Sequence, residues 1–204
     1  MTMILDEPAT EADVKARRAE LGIDLFDEVW DGVTLVSPAP GDSHQTLLFQ
    51  LHKLFDVLID SAALGQTLQT VNISDRLDDW TRNYRIPDLS IFLTGNPARS
   101  FETHRVGGPD FAIEILSAGD RSRQKLDFYA KVGTRELLII DRAHWALELY
   151  RLDSGTLGMI GRIAVGDGQS LVSEVLPLSF RLIPGALRPA IEAIHTDGNR
   201  HWSI

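Results

Sequence analysis

Phe111-Ala112-Ile113-Glu114-Ile115-Leu116 is the stretch on which the reading of this chain turns. It alternates as a β-strand does, with Phe111, Ile113 and Ile115 on one face and Ala112, Glu114 and Leu116 on the other. Glu114 therefore stands between apolar neighbours on a face that reads as buried, and a buried carboxylate needs a partner. From the residues alone two partners stay open: a metal ion, or a basic side chain in a buried ion pair.

Working outward, Ile86 to Leu93 reads as an earlier strand carrying Asp88, and a helix from about Ser122 to Val132 carries Lys125, with Gly133 as its stop. The sequence has two Pro-Asp pairs. Asp110 shares a strand with Glu114 and lies four residues before it, about 13 Å away at the strand rise, too far to share an ion. Asp88, on a separate strand, can lie beside Glu114. Hard divalent cations take oxygen ligands and keep several waters, so two carboxylates can hold one. A nearby lysine adds charge stabilisation for a phosphate under attack. Asp88, Glu114 and Lys125 are of the right chemical types for phosphoester hydrolysis.

Further out, Thr10 to Leu21 reads as a short capped helix ending near Gly22, and Asp27 to Val36 as a hairpin on its Asp31-Gly32 turn. Asp42 or Ser43 opens a long helix with an apolar stripe from Leu47 to Ile59, closed by Gly65. Gln66 to Ser74 alternates weakly as a strand, Asp75 to Asn83 is a polar loop, and Thr94 to Pro109 is a loop punctuated by Gly and Pro. A Gly119-Asp120 turn follows Leu116, with Ser117 expected to cap it. Leu137 to Ile140 is an unbroken apolar strand of the kind buried mid-sheet, Trp145 to Leu152 pairs with it, and residues 155–185 are β-rich. The last twenty residues read as a short helix and a frayed end. Tyr129 and Asp141 read as structural. The expected fold is α/β (α+β), a mixed β-sheet flanked by helices in a single domain.

Composition sets the outer limits. The 204 residues suffice for one full core, and 44% hydrophobic with 24% charged residues is ordinary for a globular protein. No apolar run approaches a membrane span, the first ten residues lack a basic leader, and no cysteine is present, so a cytoplasmic protein is expected. The net charge of −9 argues against a general nucleic-acid coat. Yet residues 82–135 hold nine Lys and Arg against six Asp and Glu, a local +3 that can steer a polyanion to one face.

An ordered series of segments carries a resemblance. It comprises Asp27-Glu28-Val29-Trp30-Asp31-Gly32, Ser37-Pro38-Ala39-Pro40 with His44, Ile86-Pro87-Asp88-Leu89-Ser90-Ile91, and Pro109 through Glu114 to Ser117. Lys125 through Tyr129 to Gly133 and Glu136 to Asp141 complete it. Together, over roughly residues 24–184, they resemble the Uma-type restriction endonuclease family, a branch of the PD-(D/E)XK nuclease superfamily. The resemblance implies a restriction-endonuclease-like core at 24–185, preceded by a helical extension at 1–23 and followed by a tail at 186–204. It implies Asp88 and Glu114 as ligands of Mg²⁺ (or Mn²⁺), Lys125 as the catalytic lysine, and Glu28 and His44 as further site residues. The superfamily lysine two residues after Glu114 is replaced by Leu116, its role moved to Lys125. Arg121, beside Asp120, stands where the family often has an acid. The implied activity is Mg²⁺-dependent hydrolysis of DNA. The alternatives are a catalytically weak or inactive binding or regulatory module on the same fold, and a hydrolase of other phosphoesters. A homodimer would suit cutting both strands of a duplex.

Overall fold

Each of the six residues of the strand Phe111–Leu116 is buried, and both its edges are paired. On one side it runs parallel to Glu136–Asp141, with Glu114 opposite Ile139; on the other it runs antiparallel to Leu89–Leu93. These three are the middle of a six-stranded mixed sheet. Ala146–Asp153 and Thr156–Ala164 extend it beyond Glu136–Asp141, and Gly65–Gln69 flanks Leu89–Leu93 at the far edge. The computed structural model of the chain describes residues 10–117 and 121–204; the expected Gly119-Asp120 turn, Asp120 and the first nine residues lie outside them.

Both faces of the sheet are covered. Leu47, Leu51, Leu54 and Phe55 of the long helix pack with Phe111, Ile113 and Ile115 on one face, together with Leu178, Phe180 and Ile191. On the other face Phe128 and Tyr129 pack with Ala112, Leu116, Leu137 and Ile139. The alternation read from the sequence is thus the partition between the two cores, and it turns the Glu114 side chain toward the Phe128–Tyr129 side.

A second sheet of short strands flanks the first and includes the hairpin Glu28–Trp30/Val33–Leu35 and the pair Ile73–Ser74/Tyr84–Arg85. Asp31 and Gly32 both have positive φ, as a tight primed hairpin turn requires. Thr10 and Asp13 form a reciprocal capping box on the helix Glu11–Glu20, as its sequence predicts.

Several boundaries differ from expectation. The long helix, Asp42–Phe55, is capped at Gly41 and passes into a π-helical turn, Asp56–Asp60. Gly65 does not close it but opens a strand, where a Cβ would lie 2.2 Å from the Phe92 carbonyl oxygen; its small size lets two backbones meet. The expected strand Gln66 to Ser74 is two strands in different sheets. Asp88 precedes its strand rather than lying on it, because Pro87 supplies no N–H for a ladder. The Thr94 to Pro109 loop contains two short paired strands, Arg99–Ser100 and Arg105–Val106.

The last twenty residues are neither helical nor frayed. Ala190–His195 pairs with Leu178–Ile183 and with His201–Ser203 in a third sheet, and Ile204 is buried. Among the described residues no helix is long and apolar enough to cross a membrane.

Candidate active site

Register places the acids. The last ladder pair between the two central antiparallel strands is Leu89 with Ile113. One step further sets Asp88 opposite Glu114, with Cα atoms roughly 5 Å apart. The Glu114 carboxyl turns to the Phe128–Tyr129 side, and the Asp88 charge lies close enough to act on both Glu114 and Tyr129. The Ile115 amide donates to Asp88 Oδ2 at 2.6 Å, and His44 Nε2, from the first turn of the long helix, lies 2.9 Å from Asp88 Oδ1.

Lys125 enters from a 3₁₀ turn, Ser122–Lys125, which leads directly into the helix Leu126–Lys131; the expected single helix is these two pieces. Its ammonium donates to Glu28 Oε1 at 2.8 Å and to Glu114 Oε1 and Oε2 at 3.0 and 3.2 Å. Ser122 Oγ donates to Glu114 Oε2 at 3.0 Å, and the Tyr129 hydroxyl donates to Glu114 Oε1. Glu28 does more than face Lys125. It accepts the Ile86 amide and the Trp30 indole N–H, both at 2.8 Å, and so ties the hairpin to the Ile86–Asp88 segment. Glu28, His44, Asp88, Glu114 and Lys125, the five residues singled out in the sequence, thus lie in one hydrogen-bonded neighbourhood. Asp110 is elsewhere, holding the Leu93 amide, Asn96 and Arg135.

Three residues of the site were not picked out by sequence reading. Tyr129, read as structural, binds Glu114 directly. Its signal was its spacing, one turn beyond Lys125. Ser122 carried no signal. Arg85, fully boxed between the Trp30 and Phe128 rings at 4.4 and 4.3 Å, brings a second buried cation near Glu28.

The electrostatics follow from burial. Burial raises the Glu114 carboxyl to about 7, and the charges of Asp88 and Glu28 push the same way against the pull of Lys125. Burial alone would lower Lys125, but Glu114 and Glu28 outweigh it and raise its pKa, so it stays an ammonium ion. The two directions agree because Lys125 is shared between two carboxylates, whereas Glu114 faces two other anions. Burial, followed by the Glu114 charge, raises the Tyr129 hydroxyl well above its ordinary value. Three carboxylates thus face two buried cations, and the surplus is negative.

Among the described residues no three His, Asp or Glu side chains form a ready metal cage. The donor set still suits a hard divalent cation. Asp88 and Glu114 offer carboxylate oxygens near each other, the surplus charge is negative, and such ions complete their shells with water.

A mixed sheet packed between helices, with acids converging at its centre on a buried lysine, is a restriction-endonuclease-like fold. The chain belongs to the Uma2 family, whose model is described as "Putative restriction endonuclease" and matches residues 24–184. Among solved structures it resembles a protein from Anabaena variabilis ATCC 29413, described as a putative nuclease belonging to DUF820. The TM-score is 0.59 at 16% identity, over 74% of this chain and 83% of that one. No curated protein matches.

Proposed function

We propose that this protein is a Mg²⁺- or Mn²⁺-dependent endonuclease that hydrolyses DNA phosphodiester bonds, with Asp88 and Glu114 as the metal ligands. The observation that carries the reading is the Lys125 ammonium held between Glu28 and Glu114 beside Asp88, on a chain of a nuclease family. A bound divalent ion would polarise a phosphoryl oxygen and lower the pKa of a coordinated water.

The chain's own residues do the rest. Tyr129, Ser122 and Lys125 fix the Glu114 carboxylate from three directions, while His44 and the Ile115 amide fix Asp88. Preset acids need no reorganisation when charge develops. Lys125, kept protonated, supplies positive charge where negative charge grows on the phosphate. Glu28 positions Lys125 and the segment that presents Asp88.

A second reading, a binding or regulatory module without turnover, draws on one observation: both Glu114 oxygens are already engaged by the protein's own donors. Calorimetric titration of Mg²⁺ and Mn²⁺ into wild type, Asp88→Ala and Glu114→Ala, with plasmid nicking on the same samples, separates the two. Binding and nicking that both substitutions abolish support the nuclease. Metal binding by wild type with no nicking supports the module, and nicking that survives both substitutions removes the proposed site.

A further inference from the structure

Arg142 follows the strand Glu136–Asp141 at the end of the sheet where Leu116 and Asp141 are paired. Its Nη1 donates to Ser43 Oγ at 2.7 Å, its Nη2 to Ser117 Oγ at 3.3 Å, and its Nε to the Leu116 carbonyl at 3.4 Å. All three acceptors are neutral, and among the described residues no carboxylate forms an ion pair with it. The neighbouring Arg123 differs, being paired with both Asp141 and Glu148. A guanidinium has five N–H donors, so two remain for a ligand, one on each terminal nitrogen.

Its position gives that spare charge a direction. Ser43 adjoins His44, which contacts Asp88, and Leu116 adjoins Ile115, whose amide holds Asp88. Ser43 also lies in the first turn of the helix Asp42–Phe55, whose N-cap, Gly41, contributes no side-chain cap. The His44 and Gln45 amides bond back to Gly41, and Asp42, the first helical residue, already sets a carboxylate at the positive end of the helix dipole. A guanidinium without a carboxylate partner is suited to a phosphate, which takes two parallel N–H bonds from one arginine.

We propose that Arg142 is a phosphate subsite that holds a nucleic-acid backbone phosphodiester next to the Asp88–Glu114 pair. The assignment rests on the nuclease reading for its ligand. It also accounts for how an acidic chain can grip a polyanion at a centre with surplus negative charge.

The test is binding of a fluorescein-labelled DNA duplex in EDTA, followed by anisotropy across a series of KCl concentrations, for wild type, Arg142→Met and Arg142→Lys. Arg142→Met should weaken binding about tenfold and lower the slope of log K against log salt by about 0.9. Arg142→Lys should keep the slope and lose part of the affinity, since an ammonium neutralises a phosphate without the two-pronged contact. Thermal melting of each variant identifies a brace between helix and strand, which would lower Tm and leave the salt slope alone. An unchanged slope in Arg142→Met overturns the subsite, as does a wild type that binds no duplex. Arg142-dependent binding without nicking in Mg²⁺ or Mn²⁺ upholds the subsite while removing the nuclease reading.

Discussion

The main-chain amide of Ile115 donates to Asp88 Oδ2 at 2.6 Å, so the residue after one acid of the site holds the other. The two carboxylates are therefore positioned by backbone register, and the side chains around them set their charge.

Lys125 is the keystone of that charge balance. Lys125→Met leaves Glu28 and Glu114 buried and facing each other without their shared cation, which should cost about 3–5 kcal/mol of stability in urea unfolding. Adding Glu114→Gln should restore part of the loss by removing one of the stranded charges. A double variant no more stable than Lys125→Met would show that the lysine's contribution is packing, not charge.

Tyr129→Phe removes one hydroxyl from a side chain with no solvent exposure, and with it a hydrogen bond to a carboxylate. A loss of about 2 kcal/mol is expected in the same assay. Nicking should fall with it, since Glu114 loses one of its three anchors, and wild-type rates would place Tyr129 outside the working site.

The turn that carries Lys125 is tied down by Arg123, which donates to Glu148 at 2.8 and 3.0 Å and to Asp141 at 3.0 Å. Burial alone would raise both carboxyls, but their hydrogen bonds, the one from Arg123 foremost, with His144 on Asp141 and Tyr150 and Arg162 on Glu148, together outweigh it and hold each below its ordinary value. Groups depressed in the folded state contribute stability above their unfolded pKa values, about 3.9 for Asp and 4.3 for Glu, and lose it as pH falls through the folded ones. Arg123→Met should therefore be less stable than wild type at pH 7 by about 1–2 kcal/mol, a figure reduced for the half-exposed guanidinium. The gap should close below about pH 4. A gap that does not change with pH would assign the loss to packing of the arginine stem.

Gly65 pairs with Leu93 across the edge of the central sheet, and a Cβ there would meet the Phe92 carbonyl oxygen at 2.2 Å and the Leu93 Cα at 2.8 Å. Gly65→Ala should cost about 1–3 kcal/mol by forcing the edge strand away. An unchanged urea midpoint would show that the edge has slack.

The central sheet was legible because its pattern is local: Phe111 to Leu116 alternates, and Leu137 to Ile140 is apolar throughout, as strands paired on both sides must be. Glu114 was legible as a buried charge within a strand, Asp88 and Lys125 as the partners such a charge needs, and the resemblance supplied Glu28 and His44. Tyr129 was hidden because a buried aromatic on a helix face looks the same whether its hydroxyl bonds an acid or a backbone carbonyl. The C-terminal strands were missed because Ala190 to His195 is short, and what makes it a strand is its pairing with Leu178–Ile183. Register across sequence distance does not show in a single segment. The two-residue strands of the Thr94 to Pro109 loop escaped notice for the same reason.

The pairing of Leu89 with Ile113 has a consequence for how this protein can vary. Residues 94–109 connect the two strands through the second sheet, outside the ladder that sets the spacing of Asp88 and Glu114. A single residue inserted between Asp88 and Ile91, or between Phe111 and Glu114, breaks that spacing. It turns one acid to the opposite face of the sheet while every hydrogen bond of the ladder can still form. The site is in this sense a counting device, intolerant of a one-codon change in the strands.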